Sequence, residues 1–139
     1  MIEGIKGENI EAWWPLVQEY LITALEYGLG EYSIGDIKNA CLARDMQLWV
    51  KMDREVEGAF ITKISQYPQK NILCVLLLGG KNFSSWRDEA DVLLDAFGKE
   101  NKCEYVELFG RKGWGKVLKD LNYKEQTRLF AKEIENVKR

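Results

Sequence analysis

Residues 71–83 read NILCVLLLGGKNF, and the rest of the chain can be read outward from them. Positions 72–78 are apolar without alternation. A short run of this kind marks a strand covered on both faces. Gly79 and Gly80 end it, and Ser84 or Ser85 is placed to cap a helix whose buried stripe is Trp86, Ala90, Leu93, Leu94 and Phe97, with Gly98 behind. Residues 103–109 then read as another strand. Strand, helix, strand in that order implies a parallel crossover.

Toward the N-terminus, residues 46–52 (MQLWVKM) put Met46, Leu48, Val50 and Met52 on one face and Gln47, Trp49 and Lys51 on the other. Residues 53–55 form a turn and 56–64 return as a second strand. Gly58 inside it marks a bulge or a close backbone approach. Ahead of this hairpin lie two helices. The first carries Val17, Tyr20, Leu21, Ala24 and Leu25 at helical spacing, with Asn9 as cap, Pro15 limiting its start and Gly28 and Gly30 ending it. The second opens on Ser33-x-x-Asp36, a capping-box pattern, with Ile34, Ile37 and Cys41 inward. Residues 1–5 make a short first strand.

Toward the C-terminus, Trp114, Val117, Leu118 and Leu121 outline a last helix capped by Asn122, and residues 123–134 a final strand that closes the domain. The expected order is β-α-α-β-β-β-α-β-α-β. This is a single α/β (α+β) domain over 1–139: a mixed, mostly antiparallel central sheet with helices on both faces.

Composition excludes several kinds of chemistry. The 139 residues are 46% hydrophobic and 30% charged, with 20 basic and 22 acidic side chains, so no global field draws the chain to nucleic acid or to a membrane surface. With no histidine, triad hydrolysis, His-ligated zinc and a histidine base are all ruled out, and no metal site is expected. Cys41, Cys74 and Cys103 are odd in number, form no C-x-x-C pair and read as thiols of a reducing compartment. The start MIEGIKGENI has no leader pattern, and the apolar run at 72–78 is far shorter than the ~20 residues that span a bilayer. A cytoplasmic protein is expected, and residues 136–139 should fray.

The element order, together with MQLWVKMDREVEGAFITKI as second and third strands and GRKGWGKVLKDLNYKEQTRLFAKEI as last helix and final strand, resembles the GNAT (GCN5-related N-acetyltransferase) fold over nearly the whole chain. The G-R-x-G-W stretch at Gly110, Arg111, Gly113 and Trp114 is similar to compact GNAT-like proteins of tailed bacteriophages. The resemblance implies a fourth strand splayed from the fifth. Leu76, Leu77 and Leu78 would then pair with the pantetheine arm of acetyl-CoA, and Gly79, Gly80, Lys81, Ser84 and Ser85 would hold its phosphates at a helix N-terminus. Arg111 and Lys112 are further candidates to meet an anion.

Three positions depart from the family's pattern. GGKNFSSW lacks the Q/R-x-x-G-x-G/A phosphate spacing and places Phe83 in the loop; Leu118 falls where the acidic tyrosine usually stands; and 72–78 carries no carboxylate. Replacement chemistry would fall to Glu107, with Glu104 behind it, as base, and to Tyr123 or Tyr105 as acid. Because phosphate loop, tyrosine and carboxylate fail together, the expected function is a non-catalytic phage protein that is virion-associated or binds during assembly to a phage structural protein. The alternative is an acetyl-CoA-dependent N-acetyltransferase acting on a small-molecule or peptide amine. Five tryptophans are many for this length, and among Trp13, Trp14 and Trp49 an exposed ring would mark a partner or oligomer surface.

Overall fold

The computed structural model describes residues 1–110 and 113–135. The elements are β1 (Ile2–Ile5), α1 (Ile10–Leu25), α2 (Ile34–Leu42), β2 (Gln47–Met52), β3 (Val56–Gln66), β4 (Asn71–Gly80), α3 (Phe83–Glu100), β5 (Cys103–Leu108) and α4 (Trp114–Val117). They form one five-stranded sheet in the order β1-β2-β3-β4-β5, antiparallel except for the β4–β5 pair. The mixed, mostly antiparallel α/β architecture is therefore as the sequence implies.

Two apolar layers hold the sheet. On one face Ile10, Trp14, Val17 and Leu21 of α1 and Ile37 and Cys41 of α2 pack on Met46, Leu48, Val50, Ala59, Ile61 and Leu77. On the other, Trp86, Ala90 and Leu94 of α3 pack on Ile2, Phe60, Leu73 and Val75. The alternation in β2 and β3 thus feeds both layers. Gly58 is the close approach that its position implies: a Cβ there would stand 2.7 Å from the Trp86 ring and 2.8 Å from the Gly79 carbonyl oxygen.

The capping box on α2 is complete: the Asp36 amide donates to Ser33 Oγ and the Ser33 amide to the Asp36 carboxylate. Other local expectations are corrected. Asn9 makes no side-chain cap, because a 3-10 turn at Gly7–Asn9 leads directly into α1. Ser84 and Ser85 are not caps either. Asn82, in the left-handed region at φ 56°, precedes the helix and both serines lie within its first turn. The last helix is one turn long, with Leu118 and Leu121 only half-buried, and Asn122 ends the turns after it at φ 66°.

The expected final strand at 123–134 is absent: no sheet pairing reaches it, and every residue from Lys124 to Glu135 is exposed. No tryptophan is exposed either, which corrects the expected Trp surface. Trp14 and Trp86 are buried and Trp13 packs against the α1–α2 layer. Trp49 stacks on Phe60, meets Phe97 edge-on and donates from Nε1 to the buried Thr62 hydroxyl at 2.9 Å. Trp114, placed on a core stripe by its spacing, is half-buried.

Candidate functional site

The site begins with a mismatch in strand length. β3 pairs with β4 from Asn71 to Gly80, but β5 pairs only with Asn71 to Val75. Leu76 is the extra residue of a bulge, since Ile61 faces Leu77 and Thr62 faces Val75. From Leu76 to Gly80 the side of β4 toward β5 has no strand partner among the described residues, and a cleft opens there.

Its walls come from four elements. Leu78, Gly79 and Gly80 form the strand side, Phe83 the start of α3, Thr23, Ala24 and Tyr27 the last turns of α1 with its exit, and Gly113, Trp114 and Val117 the short α4; the volume is about 770 Å³. Close backbone contact fixes the strand side. A Cβ on Gly79 would stand 2.2 Å from the Tyr20 carbonyl oxygen. Gly80 lies at φ 151°, and a Cβ there would stand 2.6 Å from Gly58 Cα, so both positions require glycine. Arg87 holds α4 in place by donating from Nη1 to the carbonyls of Val117 (2.6 Å) and Lys119 (3.0 Å).

At the β4–α3 turn, Lys81 donates its amide to the Glu57 carbonyl and accepts at its own carbonyl from Trp86 Nε1. Its ammonium is 2.6 Å from Glu55 Oε1, and that exposed pair raises the lysine and lowers the glutamate through a hydrogen bond and mutual attraction. Ser85 donates its hydroxyl back to the Asn82 carbonyl at 2.6 Å, and Ser84 is exposed. Phe83 lies edge-on to Trp86 with centroids 4.7 Å apart, and 5.7 Å from the Trp114 ring.

The structure therefore divides the sequence-named positions. Leu78, Gly79 and Gly80 line the cleft. Leu76 and Leu77 contribute backbone to the free edge while their side chains pack into the α1–α2 layer. Lys81 is held by Glu55, and Ser84 and Ser85 are first-turn residues of α3. Arg111 and Lys112 lie outside the described residues.

Glu107 and Tyr123 are not brought together. Glu107 faces Cys74 in the β4–β5 register, on the side opposite Val106 and Leu108, which pack toward α3. Burial, and after it the Glu107 charge, pushes the Cys74 thiol up to about 11. Tyr123 lies instead against α3, where burial first, and then Asp91 and Asp95, raise its phenol far above the usual range; it is hydrogen-bonded to Asp91. Glu104 and Tyr105 are exposed, and the Lys70 ammonium lies 5.1 Å from the Tyr105 ring centroid.

Sequence reasoning missed Thr23, Ala24, Tyr27 and Val117, because spacing along a helix does not say which end borders a cleft. Phe83 and Trp114 carried a signal in their size: each is a large ring beside glycines at an element start.

Comparison with solved structures bears on the whole arrangement. A probable acetyltransferase superposes with a TM-score of 0.69 at 14% identity, over 98% of this chain and 99% of the other. The fold is that of the GNAT acetyltransferases. An aminoglycoside acetyltransferase from an uncultured soil metagenomic sample, solved with sisomicin, matches at 0.65 and 15% identity over 97% and 96% of the two chains. The ribosomal-protein-alanine N-acetyltransferase of Brucella melitensis biovar Abortus 2308 matches at 0.65 and 12% over 96% and 99%. No protein-family profile and no curated protein matches the sequence. Identities this low speak for the GNAT fold, and the chemistry must be argued from the cleft.

A free strand edge beside apolar walls suits an extended, amide-bearing arm. Among the described residues, the turn beyond it offers a pyrophosphate a cation already paired with a carboxylate and an aromatic side chain at the start of the helix.

Proposed function

We propose that this protein is a GNAT-fold binding protein that keeps the family's cleft and has given up acetyl transfer. The observation that carries this reading is the β4–α3 turn, where Phe83 packs between Trp86 and Trp114 and Lys81 is paired with Glu55. Among the described residues, a phosphate group arriving there meets a cation already paired with a carboxylate. None of the described residues lining the cleft is a carboxylate or an amine. Glu107 and Tyr123, the candidate base and acid, lie on opposite sides of the sheet, too divided to serve one reaction centre. The likeness of the G-R-x-G-W stretch to phage proteins supports a structural protein of a virion, or of its assembly, as the partner.

The free edge of β4 and the 770 Å³ cleft favour a second reading, an N-acetyltransferase that takes acetyl-CoA and an amine. Isothermal titration with acetyl-CoA separates the two. Absence of saturable heat at millimolar ligand supports the binding protein, and saturation with one site per chain overturns it. Mass spectrometry of purified particles from the source phage tests the partner class: this chain at stoichiometric level supports a virion role, and its absence from both particles and assembly intermediates removes it.

A further inference from the structure

A cavity apart from the cleft lies at the β1 edge of the sheet and at the other end of the strands. It is walled by the end of β1 with the turn after it, the end of α2 and the start of β2, where Gln47 stands; the cleft end of the sheet is the row Lys51, Gly58 and Gly80. Its volume of about 430 Å³ falls in the range of small-molecule sites, ~300–1,000 Å³. The floor is apolar: Cys41 and Met46 are core residues of the α1–α2 layer, and Ile5 packs against that layer.

The rim carries charge of both signs. Arg44, Lys6 and Glu8 line the cavity, and among the described residues none of the three is ion-paired, with one another or with a neighbour. Elsewhere on the surface such charges close on each other, as Lys81 does with Glu55 and Lys38 with Glu11. Arg44 is directed here by its backbone. It follows α2 in the left-handed region at φ 67°, the amides of Asp45 and Met46 return to the Ala40 carbonyl, and its side chain crosses the turn, where a Cβ on Gly7 would lie 3.4 Å from Nε. A further donor is set from the interior. Trp49 Nε1 donates to the buried Thr62 hydroxyl and that hydroxyl to Gln47 Oε1 at 2.8 Å, which leaves the Gln47 amide nitrogen without a partner among the described residues.

Donors and one carboxylate held apart over an apolar floor match a ligand that carries both charges itself. A carboxylate suits guanidinium, ammonium and amide donors, an ammonium suits Glu8, and an apolar side chain suits the floor. A simple anion would leave Glu8 unanswered, and a simple amine would meet two cations. We propose that this cavity binds a free α-amino acid with an apolar side chain, its carboxylate on Arg44, Lys6 and Gln47 and its ammonium on Glu8. The proposal shares no residue with the cleft and is independent of what the cleft binds.

The test is isothermal titration of the full chain with leucine and methionine, against isocaproate, which lacks the ammonium of leucine, and isoamylamine, which lacks its carboxylate. Saturable heat with one site per chain is expected for at least one of the amino acids and for neither analogue at the same millimolar concentrations. Arg44→Gln and Glu8→Gln should each weaken binding about tenfold or more with the far-UV spectrum unchanged, whereas Tyr27→Asp at the cleft should leave it as it is. Absence of saturable heat with both amino acids overturns the proposal. Isocaproate binding as tightly as leucine would do the same, since the site would then be one for anions. So would amino-acid binding that survives Arg44→Gln and Glu8→Gln, or that disappears with Tyr27→Asp.

Discussion

The two halves of β4 belong to one continuous strand and have different roles. Asn71 to Val75 lies between β3 and β5 and sends Leu73 and Val75 into the α3 layer. Leu76 to Gly80 has β3 on one side and the cleft on the other. The first half is thus paired on both edges, while the second packs Leu76 and Leu77 into the α1–α2 layer and lines the cleft with Leu78, Gly79 and Gly80. The difference comes from where β5 stops, at Leu108, and that is set by a chain segment about thirty residues away.

The largest effect should come from breaking the paired half. Leu73→Ala removes a fully buried side chain and should cost about 2–5 kcal/mol, read by urea denaturation. A cost below 1 kcal/mol would mean that the lower half is not core. In the cleft half the vulnerable feature is a close approach rather than a filled volume. Gly79→Ala places a Cβ against the Tyr20 carbonyl and should cost about 1–3 kcal/mol by forcing α1 off the strand, and no loss of stability would deny that contact.

Ionisation sharpens the same contrast. Burial, and then Glu107, holds the Cys74 thiol up to about 11, against an ordinary value of 9.0. The folded state therefore keeps this proton where the unfolded chain releases it, so stability should be unaffected below about pH 9 and fall as pH rises from there toward 11. The buried Cys41, also near 11, should act in the same direction. Thermal melts from pH 7 to 10.5 should show the decline in wild type and a shallower one in Cys74→Ser; equal slopes would contradict a sealed lower half. The smallest effect is expected at Ser85. Its hydroxyl bond to the Asn82 carbonyl is exposed and the residue lies inside α3, so Ser85→Ala should stay within about 0.5 kcal/mol. A loss of about 1 kcal/mol would restore it as a cap.

Much of the fold was legible because its signals are local. The alternation of MQLWVKM, the Ser33–Asp36 box and the unbroken run at 72–78 each report a period or a cap that depends on few neighbours. The final strand was not. Residues 123–134 have strand-like composition, but a strand exists only when an edge accepts it, and within this chain none does. Trp49 misled for a related reason: it lies on the polar face of its hairpin strand, yet α3 covers that face with Phe97. Of the site, the glycines were visible in NILCVLLLGG and the free edge followed only from the family resemblance, whereas the pairing of Lys81 with Glu55 joins residues 26 apart and depends on the hairpin register.

The central claim is that the cleft survives without a phosphate site. Its most direct test is a thermal melt of the protein with and without millimolar acetyl-CoA, with pantetheine as a control for the arm alone. A ligand at ~100 times its Kd stabilises by about 2.7 kcal/mol, several degrees of Tm in a domain of this size. The account predicts no rise with acetyl-CoA. A rise of several degrees, abolished when Leu78 in the cleft wall is changed to Asp, would contradict it and return the protein to the acetyltransferases.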